Sequence, residues 1–150
     1  MRAERSIDLP VPPEEAWAVL VDWERQGDWM LDADAVRVVS EHREGVGVRL
    51  AVRTRVLGVL VFTEPIEVTA WEPPVRLAIR HGSVVRGAGE WLLRAVPGGT
   101  RFTWTEDVRL RVPGIGGALA LPYRPVLGAL MGRSVARLRA AVIAAGPRRS

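Results

Sequence analysis

The 150-residue chain is 48% hydrophobic and 25% charged, a balance that excludes wholesale disorder and supplies a core that holds without cross-links. Cysteine is absent, which removes disulfides, thiolate nucleophiles and thiolate zinc sites. All 21 basic residues are arginine and the formal net charge is +4, a modest field that gives no argument for a nucleic-acid partner.

Lysine and asparagine are missing altogether and glutamine occurs once, at Gln26. No single function purges lysine from every position, so we read this as coding bias. The opening segment MRAERSIDLP is charged and has no apolar stretch, unlike a secretory leader. The longest uncharged run, Val112 to Tyr123, holds Pro113 and Pro122 and is too short to span a bilayer, which takes about 18 residues or more. The expectation is a cytoplasmic protein without stable membrane insertion, one domain over residues 1–146 with a frayed tail at 147–150.

Residues 2–9 alternate weakly and predict a first strand, stopped by Pro10, Pro12 and Pro13. In PPEEAWAVLVDW, Pro13 suits a first helical turn and Glu14 and Glu15 favour its positive end. Ala16, Val19, Leu20 and Trp23 keep helical spacing. A second short helical piece is expected over Glu24–Trp29.

Strands follow. Val36–Glu41 is the first. Val48, Leu50, Val52, Thr54 and Val56 then alternate with arginines and Ala51, the period of a sheet with one wet face. Phe62, Glu64, Ile66, Val68 and Ala70 share the next apolar parity, and Leu77, Ile79 and His81 the one after. Trp91 and Leu93 lead through Pro97-Gly98-Gly99 to Phe102, Trp104, Glu106 and Val108, a hairpin signal. The period then changes to that of a helix from Pro125 to Ala145, with Leu127, Met131, Leu138 and Val142 on one stripe and Gly146-Pro147 as the stop. Gly114–Pro122 reads as a separate helical or loop segment.

The segment Pro13 to Trp17 leading to Asp22 and Trp29, the stretch GEWLLRAVPGGTRFTW from Gly89 to Trp104, and the long last helix together resemble the START-like or Bet v 1-like (SRPBCC) helix-grip superfamily. Within it they are closest to the polyketide cyclase/dehydrase and lipid-transport group. The resemblance covers nearly the whole chain. It implies an α+β helix-grip fold: a curved antiparallel sheet of about seven strands wrapped around a long C-terminal helix, with two short helices after strand 1. It also implies a ligand cavity between sheet and helix, while functional residues differ from member to member. On that frame the lining would be Val52, Val56, Phe62, Ile66, Leu77, Ile79, Trp91, Leu93, Phe102, Trp104, Leu127 and Met131, with Trp29 closing one end.

The candidate chemistry has alternatives. His81, inward near a strand end, could serve as general acid or base because an imidazole titrates near neutrality; it could equally bond to backbone or solvent. Glu64 and Glu106 fall on apolar parity. They are either proton carriers in an apolar pocket or partners of an inward arginine, with Arg94 nearest by register. Tyr123 could bond a ligand carbonyl at the cavity mouth, helped by Arg124, or anchor a loop. Trp91 and Trp104 could stack on a flat ligand; Trp17 and Trp23 read as core.

The glycines at 114, 116 and 117 follow no parallel strand and imply no dinucleotide site. His42 and His81 without cysteine argue against a dedicated zinc site, and Ser83 has no nucleophile-elbow motif around it. Arg49, Arg53, Arg55, Arg76 and Arg80 read as a solvated outer face. The expected partner is a hydrophobic polyketide-, aromatic- or lipid-like small molecule. No cofactor, metal or nucleic acid is called for, and a homodimer stays open. The function is either a polyketide cyclase/dehydratase or a non-catalytic lipid or quinone carrier or sensor.

Overall fold

The computed structural model describes residues 1–56, 58, 60–111 and 116–146. Strand β1 (Arg2–Leu9) leads to α1 (Pro13–Leu20) and a short 3-10 helix (Trp23–Asp28). Then come β2 (Ala33–Val38), β3 (Arg49–Val56), β4 (Leu60–Glu72), β5 (Arg76–Gly82), β6 (Val85–Val96), β7 (Gly99–Leu110) and the long helix α2 (Gly116–Ala145). The strands form one antiparallel sheet in the order β1-β7-β6-β5-β4-β3-β2. Helix α2 lies across β1 and β7, and α1 packs onto α2 and the β6–β7 hairpin. This is the α+β helix-grip arrangement.

Local chemistry accounts for most boundaries. Pro13 opens α1 with Glu14 and Glu15 in its first turn, where a carboxylate meets the helix dipole. Val96 pairs with Gly99 across Pro97-Gly98, and Gly98 takes φ +85°, the left-handed value that a proline-glycine turn demands. Gly146 ends α2 at φ +64°, its N–H donating to the Ile143 carbonyl at 3.2 Å, as a helix-terminating glycine should. Pro147 lies outside the described residues.

The core is one cluster in which Leu9, Leu20, Leu77, Phe102, Met131 and Leu138 are fully enclosed. Trp71 stands edge-on to Trp17, with ring centroids 5.2 Å apart, and lies tilted against Trp23 at 6.3 Å. The edge-to-face pair adds about 0.5–1.5 kcal/mol to the burial of its rings.

Three expectations are corrected. Helix α2 begins at Gly116, nine residues before Pro125, and contains both Pro122 and Pro125. Each proline removes one helical N–H donor, yet the alanines and leucines ahead of them are strong helix formers and carry the helix through. Strand β2 starts at Ala33 and stops at Val38 rather than running from Val36 to Glu41. On β4 the register shifts between Val68 and Ala70. That bulge reverses the side-chain parity, so Trp71 pairs with inward Leu77 and Ala70 with Ala78.

The outer face is ion-paired. Arg55 holds Asp34 at 2.8 Å, Arg76 holds Glu90 at 2.7 Å and Glu72 at 2.9 Å, and Arg80 holds Glu67. Among the described residues no helix is long and apolar enough to cross a membrane.

Candidate functional site

Where β3, β4, β5 and β7 face inward, alternation brings Thr54, Glu64, His81 and Glu106 together. His81 sits opposite Ile66 on β4 and Gly87 on β6. Its Nδ1 lies 2.7 Å from Glu64 Oε1 and its Nε2 lies 2.9 Å from Glu106 Oε2. The imidazole side chain is only 11% exposed, and those of Glu64 and Glu106 are 4% and 10% exposed. The carboxylates are steadied in turn: the Trp104 indole N–H donates to Glu106 Oε1 at 2.9 Å, and the Thr54 hydroxyl approaches Glu64 Oε2 at 3.4 Å.

Burial opposes a charge on His81, but hydrogen bonds to Glu106 and Glu64 and their negative charges outweigh it. They push its pKa from 6.5 to about 10. At neutral pH the ring is therefore an imidazolium donating from both nitrogens, not the group titrating near pH 7 that the sequence suggests. Asp32, on the connector from the 3-10 helix to β2, keeps part of its surface exposed. Its enclosed carboxyl is nonetheless pushed up to about 6, by burial first and then by the charges of Glu106 and Glu64. Burial and the same carboxylates, with Asp32, hold the Tyr123 phenol well above its usual range.

Beside this cluster is a cavity of about 60 Å³, walled by Trp23, Gln26, Met30, Leu50, Val52, Ile66, Leu77, Ile79, His81, Gly89, Glu90, Trp91, Trp104 and Glu106. A separate open hollow of about 550 Å³, lined by residues that include Arg80, Arg86, Gly87 and Arg109, also touches Ile79 and His81. Gly89 makes room for the cluster, because a Cβ on it would stand 2.8 Å from Glu106 Oε1 and that carboxylate would have to shift. Gly89→Ala is accordingly expected to displace that carboxylate and weaken the grip on His81. In a pH titration by NMR, the His81 ring should then titrate at least about one unit lower; an unmoved pKa would show that Glu106 is not held as described.

Residues 1–142 match the family described as polyketide cyclase / dehydrase and lipid transport. The chain belongs to that family. An uncharacterized protein of Mycobacterium tuberculosis, Rv2574, is 30% identical over 139 residues, covering 89% of this chain and 80% of its own. Among solved structures, TTHA0849 from Thermus thermophilus superposes with TM-score 0.84 at 21% identity, covering 98% of this chain and 100% of that one. The Zhui aromatase/cyclase from Streptomyces sp. R1128 does so with TM-score 0.72 at 21% identity, covering 96% and 92%. At these identities the structures share the fold.

Against the lining that the family resemblance implies, the structure keeps Val52, Ile66, Leu77, Ile79, Trp91 and Trp104 on the cavity wall and moves the rest. Leu93 and Phe102 pair across β6 and β7 near the hairpin and are buried in the core there. Leu127 and Met131 are core residues of α2, and Phe62 packs half-buried against the same cluster. Trp29, 1% exposed, wedges between Trp91 and Trp104 at 5.8 and 6.1 Å, its indole nitrogen unpartnered among the described residues. It packs against two tryptophans of the cavity wall and does not itself line the cavity. Tyr123 is a buried residue inside α2 rather than at a mouth. Glu64 reaches His81 without lining the cavity, and Arg94 is exposed on the outer face, so the carboxylates' partner is the histidine. The Val56 side chain lies outside the described residues.

The hollow is narrower than the resemblance implies: Trp29, Leu127 and Met131 pack into the core between the layers, and the cavity of about 60 Å³ is what remains along the sheet wall. Trp23, Gln26, Met30 and Leu50 are wall residues the sequence did not assign. Gln26 carried a signal, being the lone amide side chain of the sequence; it is buried and donates to the Leu20 carbonyl at 3.0 Å. Asp32 carried none, because it sits on a connector without periodicity.

Proposed function

We propose that the chain binds a hydrophobic polyketide-, aromatic- or lipid-like small molecule at the inner cavity and acts on it as a cyclase/dehydratase, with His81, Glu64 and Glu106 moving protons. The observation that carries this reading is an imidazole gripped by two buried carboxylates on a tryptophan-lined wall. A strongly shifted titratable group in a cleft is a mark of chemistry, and apolar walls with a few converging polar groups are a mark of ligand binding. Family membership and the likeness to an aromatase/cyclase support it.

In a dehydration, Glu106 would take the proton α to a ketone and the imidazolium would protonate the β-hydroxyl. The C–H electrons form the new double bond, the C–O bond breaks and water leaves. Ligands of drug size occupy ~300–1,000 Å³, so binding requires the wall to open. Met30 is half-buried and unbranched, and Ile66 and Ile79 are half-buried; these are the side chains that would yield. The carrier alternative, for a lipid or quinone, is favoured by one fact. Both nitrogens of His81 are already engaged, as in a structural clamp.

Native mass spectrometry of the purified protein separates the two. A retained organic molecule is expected, lost in Ile79→Trp, which fills the cavity, and kept in Glu106→Gln. If Glu106→Gln retains the molecule unconverted where the parent releases product, the catalytic reading stands. If product and retention are the same in both, the protein is a carrier. Failure of the parent to take up any organic molecule would end both readings.

A further inference from the structure

The inner cavity has one sign of charge. A neutral imidazole has a single N–H, yet both nitrogens of His81 face carboxylate oxygens at 2.7 and 2.9 Å. Both contacts are hydrogen bonds only if one further proton is shared by the three groups. With that proton the trio still carries one net negative charge, whether it rests on the ring or on a carboxyl. The Asp32 carboxyl contributes in the same direction and the buried Tyr123 phenol is neutral, so neither offsets it. Among the described residues, no arginine stands on the cavity's wall. Arg80 is turned outward onto Glu67, and Arg76 onto Glu72 and Glu90.

Arg80, Arg86 and Arg109 line the separate open hollow that also touches His81, so on the inner cavity's side the negative charge meets no cation; a buried charge lacking a partner there is unfavourable, and an incoming cation relieves it. The walls favour the same guest. Trp23, Trp91 and Trp104 bring three indole rings to a space that suits a head group rather than a whole ligand, and indole faces attract cations by about 0.5–2 kcal/mol. Trp104 also fixes the Glu106 carboxylate by its N–H, leaving that group oriented before a guest arrives.

We propose that the inner cavity receives a cationic nitrogen, the ammonium group of an arylalkylamine, beside Glu106 and between the tryptophans, and that it rejects carboxylates. This rests on the reading that the cavity takes an organic ligand, and it names the charge class of that ligand.

The test compares three probes that share one ring and tether, 2-phenylethylamine, 2-phenylethanol and 3-phenylpropanoate, titrated into the unmodified protein near pH 7.5. Indole N–H and His81 ring signals are followed by NMR. The amine is expected to bind at least about tenfold more tightly than the alcohol and to shift the Trp104 and His81 signals, while the acid leaves them in place. In Glu106→Gln the amine should lose that advantage and the alcohol should not change. An acid or alcohol that binds as well as the amine overturns the charge assignment and leaves the cavity reading standing. If none of the three moves the signals at millimolar concentration, the cavity reading falls and takes this inference with it.

Discussion

His81→Ala is expected to lower the unfolding free energy by about 3–5 kcal/mol at pH 7, the usual loss when one partner of a buried ion pair is removed. The loss follows from what remains. Glu64 and Glu106 are each buried, and once the ring is gone they face one another across an emptied space with no cation between them. The Trp104 indole and the Thr54 hydroxyl still reach them, but those neutral donors cannot cancel two charges. A packing defect alone would produce a loss too, so the informative variant also carries Glu64→Gln and Glu106→Gln. With the charges gone, the triple variant should recover most of the stability lost in His81→Ala, because uncharged amides leave no unpaired carboxylate behind. Urea denaturation of the parent, the single variant and the triple variant measures this. A single-variant loss below about 1 kcal/mol would mean that the cluster is solvated and not the buried clamp described here.

The fold was legible because it rests on period. Alternation on β3 and β7, the proline-glycine hairpin and the apolar stripe of α2 are local patterns, and each appears where the pattern puts it. The candidate cluster was legible for the same reason, since His81, Glu64 and Glu106 were picked out by parity alone. What parity could not supply was the partner. Arg94 looked close by register, but it lies on the opposite face of β6 from Trp91 and Leu93, and one step along a strand turns a side chain to the other side of the sheet. The bulge between Val68 and Ala70 exchanged the faces of Ala70 and Trp71 for a cause that no alternation announces. The volume of the cavity was illegible in a deeper sense. Trp29, Leu127 and Met131 were expected on the cavity's lining and are core residues instead, because whether facing side chains enclose a space or pack into it is decided by their rotamers and volumes together. Here Trp29 packs against Trp91 and Trp104, and a small cavity remains beside those two rings.

Stability is expected to fall by about 3–5 kcal/mol between pH 6.5 and pH 10, at a limiting slope of about 1.4 kcal/mol per pH unit. The direction follows from His81. Its pKa in the folded chain, about 10, lies above the 6.5 of the unfolded one. The stability it contributes is therefore complete below pH 6.5, declines as the unfolded chain ceases to hold the proton, and is gone once pH passes about 10. A shift of that size corresponds to a ceiling of about 5 kcal/mol. The neighbouring groups act in separate windows. Asp32 is also raised, from 3.8 to about 6, so its contribution is lost between those values and the carboxylate is a burden at pH 7. Asp32→Asn should then raise stability there by about 1–2 kcal/mol after solvent screening, and leave the slope above pH 6.5 intact. Tyr123, raised above its ordinary value of 10.0, enters only beyond the His81 window. On the surface, Asp8 and Glu24 are lowered by their bonds to Arg101 and Arg43, so what they contribute is lost as pH falls into the acid range. Between pH 6.5 and about 9 only His81 among the shifted groups changes charge, so a variant carrying His81→Gln with Glu64→Gln and Glu106→Gln, which leaves no buried carboxylate pair to titrate in its place, should make a plot of unfolding free energy against pH flat across that interval. A parent protein that is itself flat there would mean that the imidazole titrates alike in the folded and unfolded chains, and that neither carboxylate holds it.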